Sequence, residues 1–404
     1  MGFYHGLSGL NAASKSLDVS GHNIANSNTI GFKKSRAEFN EMVASAMGSG
    51  QCPGSAGAGI GVSVAAVTQQ FSQGVITPTA NGLDMAINGD GFFVVNTPSG
   101  TAYTRNGAFQ LDKNGFLVTA NGDKVQGWAD ANATGTQPVD LQFPTGAGIP
   151  GRQTTGLSIQ AANLPATAPD ATSVTPNTPR HTYGTSLQVY DSQGVAIPVE
   201  VYFVKNGSNT WDVYDSLDPA ATPVGQVQFD GEGKFASTTV TTLNVDPSLA
   251  NPNNPPAPFT VTLDLSGMTQ NDRKWSVDKM TQDGYASGEL TGVNVSKDGT
   301  LMASYSNGLT RPEGKVALAR FTNPQGLAPN GNNNWVQTND SGPVLYGSAG
   351  AGSFGQIQGA ALEESNVDLT AELVGMMTAQ RSYQANAQTI KTQDQVFSTL
   401  VNLR

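Results

Sequence analysis

Charge is scarce in this sequence. Lysine, arginine, aspartate and glutamate make up 13% of its 404 residues, against about 25% in an average soluble domain. The polar share falls instead to Gly, Asn, Thr, Ser and Gln, which suit turn-rich β structure and surfaces that touch copies of themselves. The net charge of -10 argues against nucleic acid, because phosphate neutralisation needs clustered Lys and Arg. The one basic cluster, Lys33, Lys34 and Arg36, is too short to reverse that balance and is expected on a solvated face.

Cysteine, histidine and long apolar runs are equally thin. Cys52 stands alone, so no disulfide forms within the chain, and no acid–base partner near it suggests a catalytic thiol. His5, His22 and His181 lie in distant contexts and form no i,i+4 metal pair. There is no nucleophile elbow and no HExxH. Gly57, Gly59 and Gly61 lack the Lys-Ser/Thr of a phosphate loop. The turn Asp112-Lys113-Asn114-Gly115 lacks the closing glutamate of a calcium loop. The reading is therefore of a non-enzyme with no cofactor and no metal. No stretch approaches the ~20 apolar residues of a membrane span, so no membrane insertion is expected. No basic start and apolar core of a cleavable signal peptide is seen either; taken alone this reads as cytosolic, with export left open by a route that reads no such signal.

What is present divides into unlike ends and middle. Leu7, Leu10, Ser14, Leu17, Gly21 and Ile24 step alternately by three and four, predicting a helix over about 3–28 with one narrow stripe. Near the other end Leu369, Met376, Tyr383, Ile390 and Phe397 recur every seven residues, with Leu373, Gln380, Ala387, Asp394 and Val401 as companion row. That predicts a longer helix over about 366–403, too long and too narrowly seamed for one globular core. It points to a coiled coil, within the subunit or between subunits. Leu7, Leu10, Leu17, Ile24, Leu369, Leu373, Met376, Tyr383, Ile390, Phe397 and Val401 are the expected polymerisation interface. Glu363-Glu364 is expected to open the last helix, where negative charge is favourable.

Between the ends the sequence is β, so the fold class is α+β, mainly β, with terminal helices forming a coiled-coil-like inner domain. Phe39, Met42, Val43 and Met47 are expected to add a helical turn or two, and Gly48 to Gly61 to form an irregular, compliant link. From Val62 to Trp128, turns such as Asn88-Gly89-Asp90-Gly91, Arg105-Asn106-Gly107 and Asn121-Gly122-Asp123 fall about every eight residues, the rhythm of hairpins. A Pro-rich entry then leads into a second β region. There Leu187 and Val189 alternate before the turn 191–194, and Ile197, Val199, Val201 and Phe203 after it. Pro247 to Pro258 reads as a surface excursion. The expected organisation is nested. The ends 1–30 and 362–404 form the helical domain and 31–70 the link. A first β domain covers 71–145 and 286–361, and an inserted outer β domain covers 146–285.

Four stretches carry a resemblance. They are Leu7-Ser8-Gly9-Leu10-Asn11 through His22-Asn23-Ile24-Ala25-Asn26 to Gly31-Phe32-Lys33, then Met85 to Val95, then Tyr103-Thr104-Arg105-Asn106-Gly107-Ala108-Phe109, and finally Leu362 to Leu369 followed by Gln380-Arg381-Ser382-Tyr383. In kind and order they resemble the flagellar rod and hook protein family. The added β domain resembles the hook branch. The resemblance implies an extracellular place in the bacterial flagellum and passage through the flagellar type III export apparatus without a cleaved signal peptide. It implies a homopolymer of hook subunits that forms a flexible tube, a universal joint carrying motor torque. The implied partners are the distal rod protein, the hook cap, the hook–filament junction protein and the hook-length control protein. A distal rod subunit is the nearest rival reading. An extracellular adhesive or glycan-binding β protein is the rival from another class; it leaves the paired heptad ends unexplained.

Overall fold

The computed structural model describes residues 2–43, 59–130, 137–144, 148–170, 180–218, 221–250 and 256–402. Cys52 and most of the expected link 48–61 lie outside them. The chain divides into two compact units, Met1–Phe143 with Gly292–Ala303 and Thr310–Arg404, and Pro144–Thr291 with Ser304–Leu309. The fold is mainly β with a helix at each end.

In the first unit α1 spans Gly2–Ala25. It stops where Asn26 turns back on the helix: its backbone N–H and its side-chain Nδ2 both donate to the His22 carbonyl. Gly31, at φ +68, then redirects the chain. A Cβ at Gly31 would lie 2.6 Å from the Arg105 carbonyl carbon, so the close approach requires glycine.

The next segment corrects the sequence reading. Ser35–Val43 is a strand (β1) rather than extra helical turns, and it pairs antiparallel with Gly59–Gln69 (β2), from Ser35 opposite Gln69 to Val43 opposite Gly59. Met47 lies outside the described residues. The local spacing of Phe39, Met42 and Val43 fits a helix, but the β-branched partner strand lies far along the chain and decides the outcome.

Two short strands follow, Ile76–Pro78 (β3) and Met85–Asn88 (β4). They pair with Ala361–Glu363 and Gln356–Gly359, which brings the two ends of the chain together. Phe92–Thr97 (β5) and Gly100–Thr104 (β6) sit in the central sheet. Part of its order runs Thr310–Arg320, Lys124–Trp128, β5, β6, Asn334–Val336, Ala328–Pro329. Its core contains Phe92, Val94, Tyr103, Phe321 and Trp335. The rings meet edge to face, Tyr103 on Phe321 at 4.7 Å and Phe92 on Trp335 at 5.7 Å, the arrangement that aromatic quadrupoles prefer. The 112–115 turn is a hairpin turn, in which Asp112 Oδ1 accepts from the N–H groups of Asn114 and Phe116.

The second unit has two five-stranded sheets. One is an antiparallel meander of Gly184–Tyr190, Ala196–Lys205, Thr210–Tyr214, Gly225–Phe229 and Phe235–Thr238. The other is built around Gly156–Pro165, which pairs parallel with Phe259–Asp264 and Met268–Asn271 and antiparallel with Ser276–Gln282. Both sheets contribute to one core, including Ile159, Leu164, Phe203, Trp211, Leu243 and Val261. Burial alternates along the strands, as in Thr242–Val245 and Phe259–Asp264, the period of a half-buried strand. Trp211, fully buried, donates its indole N–H to Gln270 Oε1 at 3.0 Å.

Candidate polymerisation surface

The last helix, α2, spans Leu369–Asn402. Its N-cap is Asp368, whose Oδ1 accepts from the N–H groups of Thr370 and Ala371 at 2.9 and 3.1 Å, and Glu372 adds negative charge in the first turn. The helix lies along α1. A Cβ on Gly6 would stand 2.8 Å from Ile390 Cγ1, one on Gly9 would stand 2.7 Å from Asn386 Nδ2, and one on Gly375 would meet Ser20 Oγ at 4.0 Å. Partners thus descend along α2 as they ascend along α1, so the helices form an antiparallel hairpin. Continuing that register puts Gly2 opposite Gln393. The segment Asp394–Asn402 therefore projects past the start of α1 by about 13 Å, at ~1.5 Å per residue.

The seam is not the apolar stripe read from the sequence. On α1 the inward row is Gly6, Gly9, Ala13, Ser16, Ser20 and Asn23, buried or half-buried. Leu7, Leu10, Leu17 and Ile24 lie one position on, about 100° around the helix. Of these Leu7 is exposed, and Leu10, Leu17 and Ile24 are half-buried. On α2 Met376 and Ile390 are half-buried, while Leu369, Leu373 and Tyr383 are exposed. Phe397, in the projecting segment, is 56% exposed. The Val401 side chain lies outside the described residues. So the structure brings Ile390 onto α1 and leaves Leu7, Leu369, Leu373, Tyr383 and Phe397 facing outward. Small side chains let the helices approach, but they leave a groove of about 790 Å³ walled by Ala13, Ser16, Ser20, Phe39 and Gly375. Most other large exposed apolar side chains among the described residues sit on the same end of the fold: Phe3, Tyr4, Val374, Met377 and Val396 on the helices, and Phe39, Met42, Val64 and Val67 on the β1–β2 hairpin.

The hairpin is tied to the β framework by polar groups the sequence reading missed. Asn23 imitates a strand partner for Ser35: its Nδ2 donates to the Ser35 carbonyl at 2.8 Å and its Oδ1 accepts from the Ser35 N–H at 2.9 Å. Asn366 does the same work before α2. It accepts from the Lys34 N–H at 2.7 Å and donates to the carbonyls of Gln70 and Ser72.

Beneath them lies a buried charge cluster. Glu363 Oε1 accepts from Lys33 Nζ at 2.6 Å and from the Gly74 N–H at 2.8 Å, and Oε2 accepts from Arg105 Nη1 at 3.0 Å. Lys33 also donates to the Ser72 carbonyl at 2.7 Å, and Arg105 Nη2 to the Gly89 carbonyl at 2.7 Å. Two expectations are overturned here. Lys33 is 1% exposed rather than on a solvated face, and Glu363 is 0% exposed in a strand rather than opening the last helix. The physical reason is the same for both: a charge leaves water only when opposite charge and hydrogen bonds meet it, and the oppositely charged partners lie 258 and 330 residues apart in the chain. Burial pushes the Lys33 ammonium below the ordinary lysine value; the Glu363 carboxylate pulls it back up and Arg105 pushes it down. The signal available was a charged residue closing a short, mostly apolar run, Glu363 after Ala360-Ala361-Leu362 and Arg105 after Ala102-Tyr103-Thr104. Each member belongs to one of the stretches that carried the family resemblance.

Among the described residues no group of three or more His, Cys, Asp and Glu side chains could hold a metal ion, and no helix is long and apolar enough to cross a membrane.

Comparison with known proteins follows the same segments. Residues 3–33 match the model of the flagella basal body rod protein, and 86–174 that of the flagellar hook protein FlgE/F/G D1 domain. Residues 163–285 match the flagellar basal body protein FlaE D2 domain, and 358–403 the flagellar basal body rod FlgEFG protein C-terminal. The chain is 43% identical to the flagellar hook protein FlgE of Escherichia coli K12 and 42% to that of Salmonella typhimurium, covering 100% of both chains in each case. It is 33% identical to the FlgE of Borreliella burgdorferi over 99% of each. The crystal structure of Helicobacter pylori flagellar hook protein FlgE2 shares the fold at a TM-score of 0.50 and 16% identity, over 71% of this chain and 100% of that one. With full-length identity at this level, the chain belongs to the flagellar hook protein FlgE family.

Proposed function

We propose that this chain is the building block of a flexible helical tube, the flagellar hook, and that it polymerises through the outward face of the α1–α2 hairpin together with the β1–β2 hairpin. The observation that carries the proposal is the distribution of apolar surface. The β cores hide theirs, whereas the chain ends leave Leu7, Leu369, Leu373, Tyr383 and Phe397 in water. Burying a Leu or Phe contributes about 1.5–3 kcal/mol, so a few such residues per subunit hold a lattice together.

In this reading the ends 1–30 and 362–404 form the inner layer, and 31–70, whose β1–β2 hairpin shares the polymerising surface, links it to the β domain of 71–145 and 286–361. The insertion 146–285 lies outermost. Head-to-tail contacts that do not close on themselves give an open helical array. The inner helices resist torsion, and the sparsely charged β surfaces slide and re-form as the tube bends, so torque passes through a universal joint. Distal rod, hook cap, hook–filament junction and length-control proteins are the partners, and the subunit reaches its extracellular place through the type III export apparatus without a cleaved signal.

The test is sedimentation with electron microscopy of the intact chain and of Leu373→Ser/Phe397→Ser. The double variant is expected to keep its β circular dichroism and to form no tubes. Tubes at the parent concentration would overturn the proposal.

A further inference from the structure

Asparagine followed by glycine is the backbone pair most open to a reaction with itself, because glycine has no Cβ to obstruct its own nitrogen. The chain has eight such pairs, and the fold treats them unequally. Four asparagine amides are tied down. Asn81 Nδ2 donates to Asp84 and Asn206 Nδ2 to Asp212 Oδ2 at 2.8 Å, Asn307 Nδ2 donates to the Ala286 carbonyl at 2.7 Å, and Asn106 Oδ1 accepts from the Ala108 N–H. At three more the glycine nitrogen is engaged: Gly89 donates to Gln73 Oε1 at 3.0 Å, Gly115 to the Asp112 carbonyl at 3.0 Å and Gly122 to the Thr119 carbonyl at 2.9 Å.

Asn330-Gly331 differs on both counts. Among the described residues the side-chain amide of Asn330 has no hydrogen-bond partner and the Gly331 N–H donates to none, although the Asn330 backbone N–H donates to the Asn334 carbonyl at 2.8 Å. Both residues are exposed, and a Cβ at Gly331 would meet nothing within 4 Å. The pair also opens a strained loop. Gly331, Asn332 and Asn333 all lie at positive φ, +79, +52 and +58, and two of the three are not glycine, a conformation that costs free energy at each such residue.

We propose that Asn330 is a self-modification site at which the folded chain converts an amide into a carboxylate. Solvent base takes the Gly331 N–H proton, and the freed nitrogen attacks Asn330 Cγ. The C–N bond to the side-chain amide breaks and ammonia leaves, closing a five-membered succinimide. Water then opens the ring at either carbonyl, giving aspartate or isoaspartate. In sum one water is consumed and one ammonia released, with no oxidant or cofactor. Each reacted subunit gains a negative charge in the loop that joins Ala328–Pro329 to Asn334–Val336. The isoaspartate product also lengthens that backbone, so the charge on this loop records the age of a subunit.

The test is peptide mass spectrometry of the full-length native monomer held at mildly alkaline pH in ¹⁸O-labelled water, beside a urea-unfolded sample and the Asn330→Gln variant. The result expected is solvent oxygen entering the Asn330 peptide several-fold faster than the other seven Asn-Gly peptides in the native chain, with that preference lost on unfolding. In the native Asn330→Gln chain the peptide covering position 330 should stay unlabelled over the same period. Equal rates at all eight native pairs, faster labelling at any other pair, or an unlabelled native Asn330 while the unfolded chain reacts would each overturn the proposal.

Discussion

Trp211 and Phe397 mark the two extremes of this molecule. The indole sits fully buried between two sheets with its N–H bonded to Gln270, whereas the phenyl ring stands 56% exposed on a helix that projects beyond its partner. The inserted β unit satisfies its own apolar surface within one compact core. The helical ends satisfy only part of theirs, through a seam of Gly, Ala, Ser and Asn. Such a seam lets two helices lie close without filling the space between them, and the larger apolar residues one step around are left for another surface. The lesson is that periodicity identifies a face that must be covered without saying by what.

Several substitutions would break this contrast, ranked by their effect on the monomer. Trp211→Ala empties the inserted core and takes the indole donor away from Gln270 Oε1. It should cost about 3–5 kcal/mol, read as a lower urea midpoint for this unit while the helical signal of the ends persists. Glu363→Gln strips the buried anion from Lys33 and Arg105 and should cost a similar ~3–5 kcal/mol, with the loss falling on the first unit alone. Ile390→Ala removes the contact with Gly6 and should cost about 1–2 kcal/mol, seen as faster amide exchange in α1 and α2 only. Phe397→Ser should change monomer stability by less than about 0.5 kcal/mol, yet raise the concentration needed for assembly.

The smallest effect is a pH dependence in the inserted unit. Burial alone would raise the Asp283 carboxyl, but the Thr155 hydroxyl and the N–H groups of Gly156 and Thr155 hold it below its ordinary 3.8. A carboxyl depressed in the folded state contributes stability above its unfolded value and loses it as pH falls through the folded one. The parent should therefore lose stability below about pH 4 more steeply than Asp283→Asn, as followed by urea midpoints across that range.

Much of this was legible in the residues. The strands of the second unit follow from the alternation of Ile197, Val201 and Phe203 and from turns at Asp191–Gly194 and Asn206-Gly207, because period-two burial and tight turns are local properties. Both helices were legible for the same reason. The β1 strand was not, since its pairing with β2 crosses the whole 44–58 stretch. Nor was the Lys33–Glu363–Arg105 cluster, whose members gain meaning only when β3, β6 and the strand Ala361–Glu363 come together. The apolar rows at the ends were visible, but their rotation from the small-residue seam could not be read, because Gly6, Gly9 and Ala13 carry little hydrophobic signal.

The most direct measurement is amide hydrogen exchange on the monomer and on the assembled polymer of the intact chain. The account predicts that α1, α2 and the β1–β2 hairpin exchange readily in the monomer and become strongly protected on assembly, while the core of 156–282 changes little. Ends already protected in the monomer and unchanged in the polymer would contradict it, because the exposed face of the hairpin would then not be where subunits meet.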